Sequence, residues 1–146
     1  MTRLKRGIAR MLLVALVAWV WWAKRRREPD FPRWQLIFPI LVAFLLVGKV
    51  YSPQFSLWLL PWLVLVLPGP RRFLAFEAAD LAVFLTRFSF FGELTDVGGM
   101  PQWVFETAVV VRAAVLVWCV ASWVREPSRR LPIEGQAARP IPVGRA

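Results

Sequence analysis

Lys49-Val-Tyr-Ser-Pro-Gln-Phe-Ser-Leu-Trp-Leu-Leu-Pro61 joins two strongly apolar segments of the chain. Lys49 and Tyr51 end the first segment, Ser52 can cap a helix N-terminus, and Pro53 suits the first position of a new helix. The stretch therefore predicts two helices separated by a tight polar break. Because the free N–H groups of a helix N-terminus and a lysine ammonium both attract anions, the break also predicts a phosphate-binding site.

The composition of the whole chain indicates an integral membrane protein. Hydrophobic residues make up 58% of its 146 residues, aromatic residues make up 14%, and the mean hydropathy is +0.54. These values exceed those of an ordinary soluble domain. Histidine is absent, and the single cysteine, Cys119, lies within an apolar run. The sequence therefore predicts no disulfide framework, no metal site and no cofactor.

Five apolar runs predict five transmembrane helices. The second and third runs are short against the roughly 20 residues that a bilayer crossing needs, so the alternative for them is a re-entrant hairpin with its tip at Ser52–Gln54. We predict an all-α integral membrane protein with a helical bundle over residues 1–124 and a disordered basic cytoplasmic tail over residues 125–146. The apolar runs are 11–23, 34–47, 55–67, 73–91 and 103–124.

The distribution of lysine and arginine predicts how the chain is oriented. Basic residues cluster in 24–33, in 71–72 and after 124, so these segments are expected in the cytoplasm and the break at 49–54 outside. The four basic residues among the first ten conflict with this orientation. Either the first run lies along the inner surface, or the chain begins partway through a longer protein. We expect a multi-pass protein of the plasma membrane that contacts lipids. Nucleic acid is not an expected partner, because the basic residues flank apolar runs.

Charged residues inside the apolar runs predict two interhelical ion pairs. A charge at bilayer depth is costly unless it is paired or faces water. Counting about 1.5 Å per residue outward from the loop between the fourth and fifth runs places Asp80 beside Arg112 and Arg87 beside Glu106. These pairs could fix the register of the two helices or take part in handling a substrate.

The string Lys49-x-Tyr51-Ser52-Pro53-Gln54-Phe55-x-x-Trp58-x-x-Pro61 closely resembles a signature near the C-terminal end of the family 87 glycosyltransferases, polytopic membrane enzymes of the GT-C superfamily. The resemblance covers about 13 residues and is specific in order and spacing. It implies transfer of a sugar, often mannose or arabinose, from a polyprenyl-phosphate donor to an envelope lipid or glycan at the outer membrane face.

The resemblance also implies roles for the residues of this string. The lysine would neutralise the donor phosphate, the serine and the first helical turn would hydrogen-bond it, and the tyrosine and glutamine would orient phosphate or sugar hydroxyls. Trp58 would pack against the prenyl chain or a neighbouring helix. The implied phosphate-binding residues are Lys49, Tyr51, Ser52, Pro53 and Gln54.

The chain departs from this family in its length and in its catalytic loop. Family members are several times longer and are expected to carry a catalytic acidic residue in their first extracytoplasmic loop, for which this sequence has no counterpart. We therefore assign no catalytic residue. We expect the chain to correspond to the last third of such an enzyme, inactive alone and completed by an N-terminal catalytic half. The alternatives are a small accessory or scaffold protein that binds a lipid phosphate, and a transporter fragment.

Overall fold

The computed structural model describes residues 2–47, 53–67, 69–94 and 99–130. Within them the chain is helical, with a short 3-10 turn between the first two α-helices. The elements are α1 (Thr2–Arg27), the 3-10 turn (Arg33–Leu36), α2 (Ile37–Val47), α3 (Pro53–Val66), α4 (Pro70–Leu94) and α5 (Gln102–Arg125).

The prediction of five transmembrane helices is wrong. Among the described helices, α5 is the one that is long and apolar enough to cross a membrane. α2 has 11 residues and α3 has 14, which is too short. α1 has 26 residues and α4 has 25, but α1 ends in four basic residues and α4 carries charges along its length. An apolar run predicts a helix, whereas a membrane span also needs about 20 residues with few charges.

The described helices share one core, in which α5 is central. α5 packs against α4, α1 and α2, while α3 lies between α2 and α4. Leu116 and Cys119 of α5 are fully buried, together with Phe38 of α2, Leu59 of α3 and Phe76 of α4. This shared core fixes the relative positions of the polar groups that lie between the helices.

The outer surface of the bundle is also apolar. Large apolar side chains are exposed on all five α-helices, among them Met11, Phe44, Leu57, Leu81 and Val110. A protein in water rarely exposes continuous apolar surface on this scale, so these faces suit contact with lipid or with another protein. Together with the length of α5, they indicate association with a membrane through one candidate span.

The predicted tail over 125–146 divides at residue 130. α5 ends at Arg125, and residues 126–130 continue without regular secondary structure and contact α1 and the 3-10 turn. Residues 131–146 lie outside the part of the chain that the structure describes.

Candidate functional site

The predicted phosphate site lies at the start of α3. Pro53 is the first residue of this helix and Gln54 the second, as the sequence predicted for a helix that follows a serine cap. Lys49, Tyr51 and Ser52 lie outside the described residues. The structure therefore describes the helix N-terminus of the predicted phosphate site.

Aromatic side chains join α2 and α3 beside this N-terminus. Phe44 of α2 meets Phe55 of α3 edge-to-face, with ring centroids 5.8 Å apart. Phe55 in turn contacts Trp58 at a centroid distance of 5.1 Å. Trp58 is 53% exposed, so part of its ring faces outward. The resemblance assigned Trp58 to a lipid chain or a neighbouring helix, and its exposed face leaves room for either.

One turn into α3, a closed set of hydrogen bonds links three helices. Arg112 of α5 donates from Nε to Asp80 Oδ1 of α4 at 2.7 Å and from a terminal guanidinium nitrogen to Ser56 Oγ of α3 at 3.1 Å. The Ser56 hydroxyl donates to Asp80 Oδ1 at 2.8 Å. We call these residues the polar triad. The structure therefore brings together the predicted Asp80–Arg112 pair and adds a serine to it.

The polar triad is buried among apolar side chains. The side chain of Arg112 is 8% exposed and that of Asp80 is 18% exposed, and the guanidinium carbon of Arg112 lies 5.9 Å from the centre of the Phe76 ring. A charge removed from water is tolerated only when its partners replace the lost hydration. The triad therefore fixes α3, α4 and α5 relative to one another.

The structure does not bring the second predicted pair together. Glu106 lies on the exposed side of α5 and accepts a hydrogen bond from Gln102 Nε2, one turn earlier, at 2.7 Å. Ion pairs among the described residues do not include one between Glu106 and Arg87. A count of residues along two helices gives depth alone, and the direction of a side chain around the helix axis decides which partner it reaches.

A second polar cluster lies at the opposite end of α5 and centres on Lys24. The ammonium of Lys24, whose side chain is 1% exposed, donates to the main-chain oxygens of Trp123 at 3.1 Å and of Glu126 at 2.6 Å. It also pairs with Glu28 Oε2 at 3.0 Å. The last carbonyls of a helix lack partners within the helix and carry partial negative charge. Lys24 of α1 therefore caps the C-terminus of α5.

The segment that follows α5 is fastened by further hydrogen bonds. Glu28 Oε2 accepts from the main-chain N–H of Ser128 at 2.9 Å and from its hydroxyl at 2.7 Å. Gln35 donates to the main-chain oxygen of Arg129 at 2.7 Å and accepts from Trp123 Nε1 at 3.2 Å. We call Lys24, Glu28, Gln35 and the segment 123–129 the C-terminal latch.

The charge of Glu28 is stabilised within the C-terminal latch. Burial by itself raises the pKa of this carboxyl, but the hydrogen bonds from Ser128 and the Lys24 ammonium outweigh it and hold the pKa below its ordinary value of 4.5. Arg72 of α4 adds a bidentate ion pair with Glu126, which is partly exposed. The latch thus connects α1, the 3-10 turn, α4 and the end of α5.

Sequence reasoning missed Ser56 and the whole C-terminal latch. Ser56 is one serine in an apolar run and carries no signal of its own. Lys24 stands in a run of four basic residues that resembles any cytoplasmic flank of a membrane helix. Among the described residues, no group of three histidine, cysteine, aspartate or glutamate side chains could hold a metal ion.

No protein-family model, curated protein or solved structure matches this chain. The resemblance in the stretch 49–61 therefore depends on the residues of that stretch alone.

Proposed function

We propose that this chain is the C-terminal membrane portion of a glycosyltransferase that uses a polyprenyl-phosphate sugar donor, and that the stretch 49–61 contacts the donor phosphate. The observation that carries the proposal is the start of α3 at Pro53, four residues after Lys49. The first N–H groups of a helix lack partners within the helix and carry partial positive charge. A lysine just before such a terminus adds a full charge, which suits a phosphate group.

The polar triad supports this proposal because it holds the first turn of α3 in place. Ser56, three residues after Pro53, is bonded to both Asp80 and Arg112. A binding group is most effective when the elements that carry it are rigid, because little conformational freedom is then lost on binding. The buried triad gives the N-terminus of α3 such support from α4 and α5.

The association of the chain with a membrane also supports a lipid-linked substrate. α5 is a candidate span, and the exposed apolar faces of the other helices suit contact with lipid. A polyprenyl-phosphate sugar carries its phosphate at the membrane surface and its chain within the bilayer. Trp58, half exposed beside the start of α3, supplies an apolar contact near the proposed phosphate position.

The chemical step itself needs an acidic residue that we place outside this chain. Three of the described carboxylates are engaged in ion pairs: Asp80 with Arg112, Glu28 with Lys24 and Glu126 with Arg72. We therefore propose that an N-terminal catalytic half supplies the base, and that this chain alone does not transfer sugar.

A second candidate function is a non-enzymatic accessory or scaffold protein that binds a lipid phosphate. The C-terminal latch favours it, because α1 and the segment after α5 close the helices into one bundle. The two candidates predict different gene neighbourhoods. An adjoining upstream reading frame with several hydrophobic segments and an acidic loop supports the split enzyme, whereas an unrelated upstream gene supports the accessory protein.

Binding of a labelled polyprenyl-phosphate sugar to the purified chain in neutral detergent tests the phosphate site. We expect Lys49→Ala to weaken binding at least tenfold and Lys49→Arg to retain most of it. Lys5→Ala is the matched control, since it removes the same charge from α1 and should leave binding unchanged. Equal binding by the Lys49→Ala and Lys5→Ala variants, with both folded by circular dichroism, would contradict the proposal.

A further inference from the structure

An apolar trough runs between α1, α2 and α5. Its volume is about 320 Å³, which falls within the roughly 300–1,000 Å³ typical of small-molecule sites. Leu16 of α1, Leu46 of α2 and Val117 of α5 line one part of it, and Ala121 lies further along α5. The trough lies on a different side of α5 from the polar triad, and the described side chains of the stretch, residues 55–61, do not line it.

The trough is elongated along the helices and has charged residues at one end. Its α1 wall extends from Leu16 to Arg27, which corresponds to about 16 Å at 1.5 Å per residue. Arg27 closes α1 and Arg125 closes α5, and both line the trough. Lys24 binds the end of α5, so the two helices end at the same level and their arginines lie at the same end.

These two arginines are available to an anion. Both side chains are exposed, and the ion pairs of the described residues include neither. Each helix C-terminus carries a partial charge of roughly −0.5, so two termini offset about one of the two arginine charges before the contribution of Lys24 is counted. The end of the trough therefore remains positive, while its walls are apolar.

We infer that the trough binds one anionic membrane lipid, with an apolar chain between the helices and its phosphate at Arg27 and Arg125. The apolar walls and the positive end together favour a lipid as occupant, because an anionic lipid carries both an apolar chain and a charged head. A lipid chain is narrow enough, and an anionic head complements the guanidinium groups.

This lipid site differs from the proposed donor site. The basic end of the trough lies at the start of α2, where Pro39 lines it, whereas the stretch 49–61 follows the end of α2 at Val47. α2 has 11 residues, so the two ends are about 16 Å apart. A negative binding result at one site therefore leaves the proposal for the other site unaffected.

Native mass spectrometry of the full chain in neutral detergent tests the inference. We titrate phosphatidylglycerol and phosphatidylcholine with identical acyl chains and expect at least tenfold tighter binding of the anionic lipid. Replacing both arginines, Arg27→Gln with Arg125→Gln, should reduce phosphatidylglycerol binding to the phosphatidylcholine level. The matched control replaces Arg26 and Arg130 with glutamine, which removes two exposed charges that do not line the trough.

A second pair of variants tests the apolar walls. Ala121→Leu extends a side chain into the trough and should weaken binding of both lipids at least fivefold. Ala114→Leu adds the same atoms at an exposed position of α5 outside the trough and should leave binding unchanged. Millimolar inorganic phosphate should not displace the lipid, because the walls contribute to its binding.

The inference is overturned if the preference for phosphatidylglycerol survives the Arg27 and Arg125 substitutions, if both arginine pairs reduce it equally, or if Ala121→Leu has no effect in a folded protein. Inorganic phosphate that displaces the lipid would assign the arginines to a free anion. Dimers without lipid adducts, lost on Ala121→Leu, would assign the trough to a second copy of the chain.

Discussion

Removing the charge of Arg112 tests whether the polar triad holds α3, α4 and α5 together. Arg112→Met leaves the Asp80 carboxylate buried without its guanidinium, and Asp80→Leu leaves the guanidinium without its carboxylate. Removing one partner of a buried pair costs about 3–5 kcal/mol, whereas replacing both with apolar residues is often close to neutral. We therefore expect each single substitution to lower the free energy of unfolding by about 3–5 kcal/mol. The double substitution should fall short of their sum by at least about 3 kcal/mol.

The assay is equilibrium unfolding in neutral detergent, followed by far-ultraviolet circular dichroism and tryptophan fluorescence. A domain typically has about 5–15 kcal/mol of stability, so losses of this size are measurable. Ser56→Ala removes hydrogen bonds to both charged groups and should cost about 1.5–3 kcal/mol. The control is Glu106→Gln on the exposed side of α5, which should change stability by less than about 0.5 kcal/mol.

Additivity would refute this reasoning. If the cost of the double substitution equals the sum of the single costs within about 0.5 kcal/mol, Arg112 and Asp80 do not interact in the folded protein. Equal effects of Ser56→Ala and Glu106→Gln would likewise remove the serine from the triad.

Three further predictions concern the C-terminal latch. Lys24→Met should lower the free energy of unfolding by about 3 kcal/mol, because two carbonyl oxygens lose a charged donor. Hydrogen exchange of the Glu126 amide should accelerate, and unchanged exchange would contradict the capping role. The native pKa of Glu28 lies below its ordinary value, so the ionised form stabilises the fold fully above about pH 4.5, and this contribution is lost as the pH falls through the native pKa. Glu28→Gln should therefore make the urea midpoint depend less on pH between about 5 and 3. Arg72→Ala should cost less than about 1 kcal/mol in thermal melts, because its pair with Glu126 is 20% and 42% exposed at the two side chains; a loss as large as that of Lys24→Met would show that exposure is not the deciding factor.

The sequence was informative about where helices lie and less so about what surrounds them. The run 73–91 falls inside α4 and the run 103–124 inside α5, because a continuous apolar segment without proline or glycine breaks forms a helix in either environment. The start of α3 at Pro53 followed from local chemistry, since proline fits the first helical position. The number of membrane spans did not follow in the same way, because a span needs a helix of about 20 residues with few charges and not only an apolar run.

Tertiary contacts were predictable only where connectivity limits the choices. A short loop makes α4 and α5 antiparallel neighbours, so counting at a constant rise placed Asp80 level with Arg112, and the structure joins them at 2.7 Å. The same count placed Glu106 level with Arg87, but Glu106 faces outward and bonds Gln102 instead. Depth along a helix follows from the sequence, whereas the direction of a side chain depends on how the helix is rotated in the bundle.

The basic residues at the ends of α1 and α5 show how one sequence signal divides into distinct physical roles. In the sequence they belong to two separate clusters of positive charge, 24–33 and the residues after 124, and the positive-inside rule explains both without further assumption. In the structure, Lys24 is buried and caps the end of α5, while the guanidinium of Arg26 lies 4.0 Å from the centre of the Trp22 ring. Arg27 and Arg125 line the apolar trough. Lys24 offsets the partial negative charge of the carbonyls at the end of α5, so the charge of Arg125 is left to act on a ligand. The C-terminal latch and the proposed lipid site therefore depend on the same helix terminus.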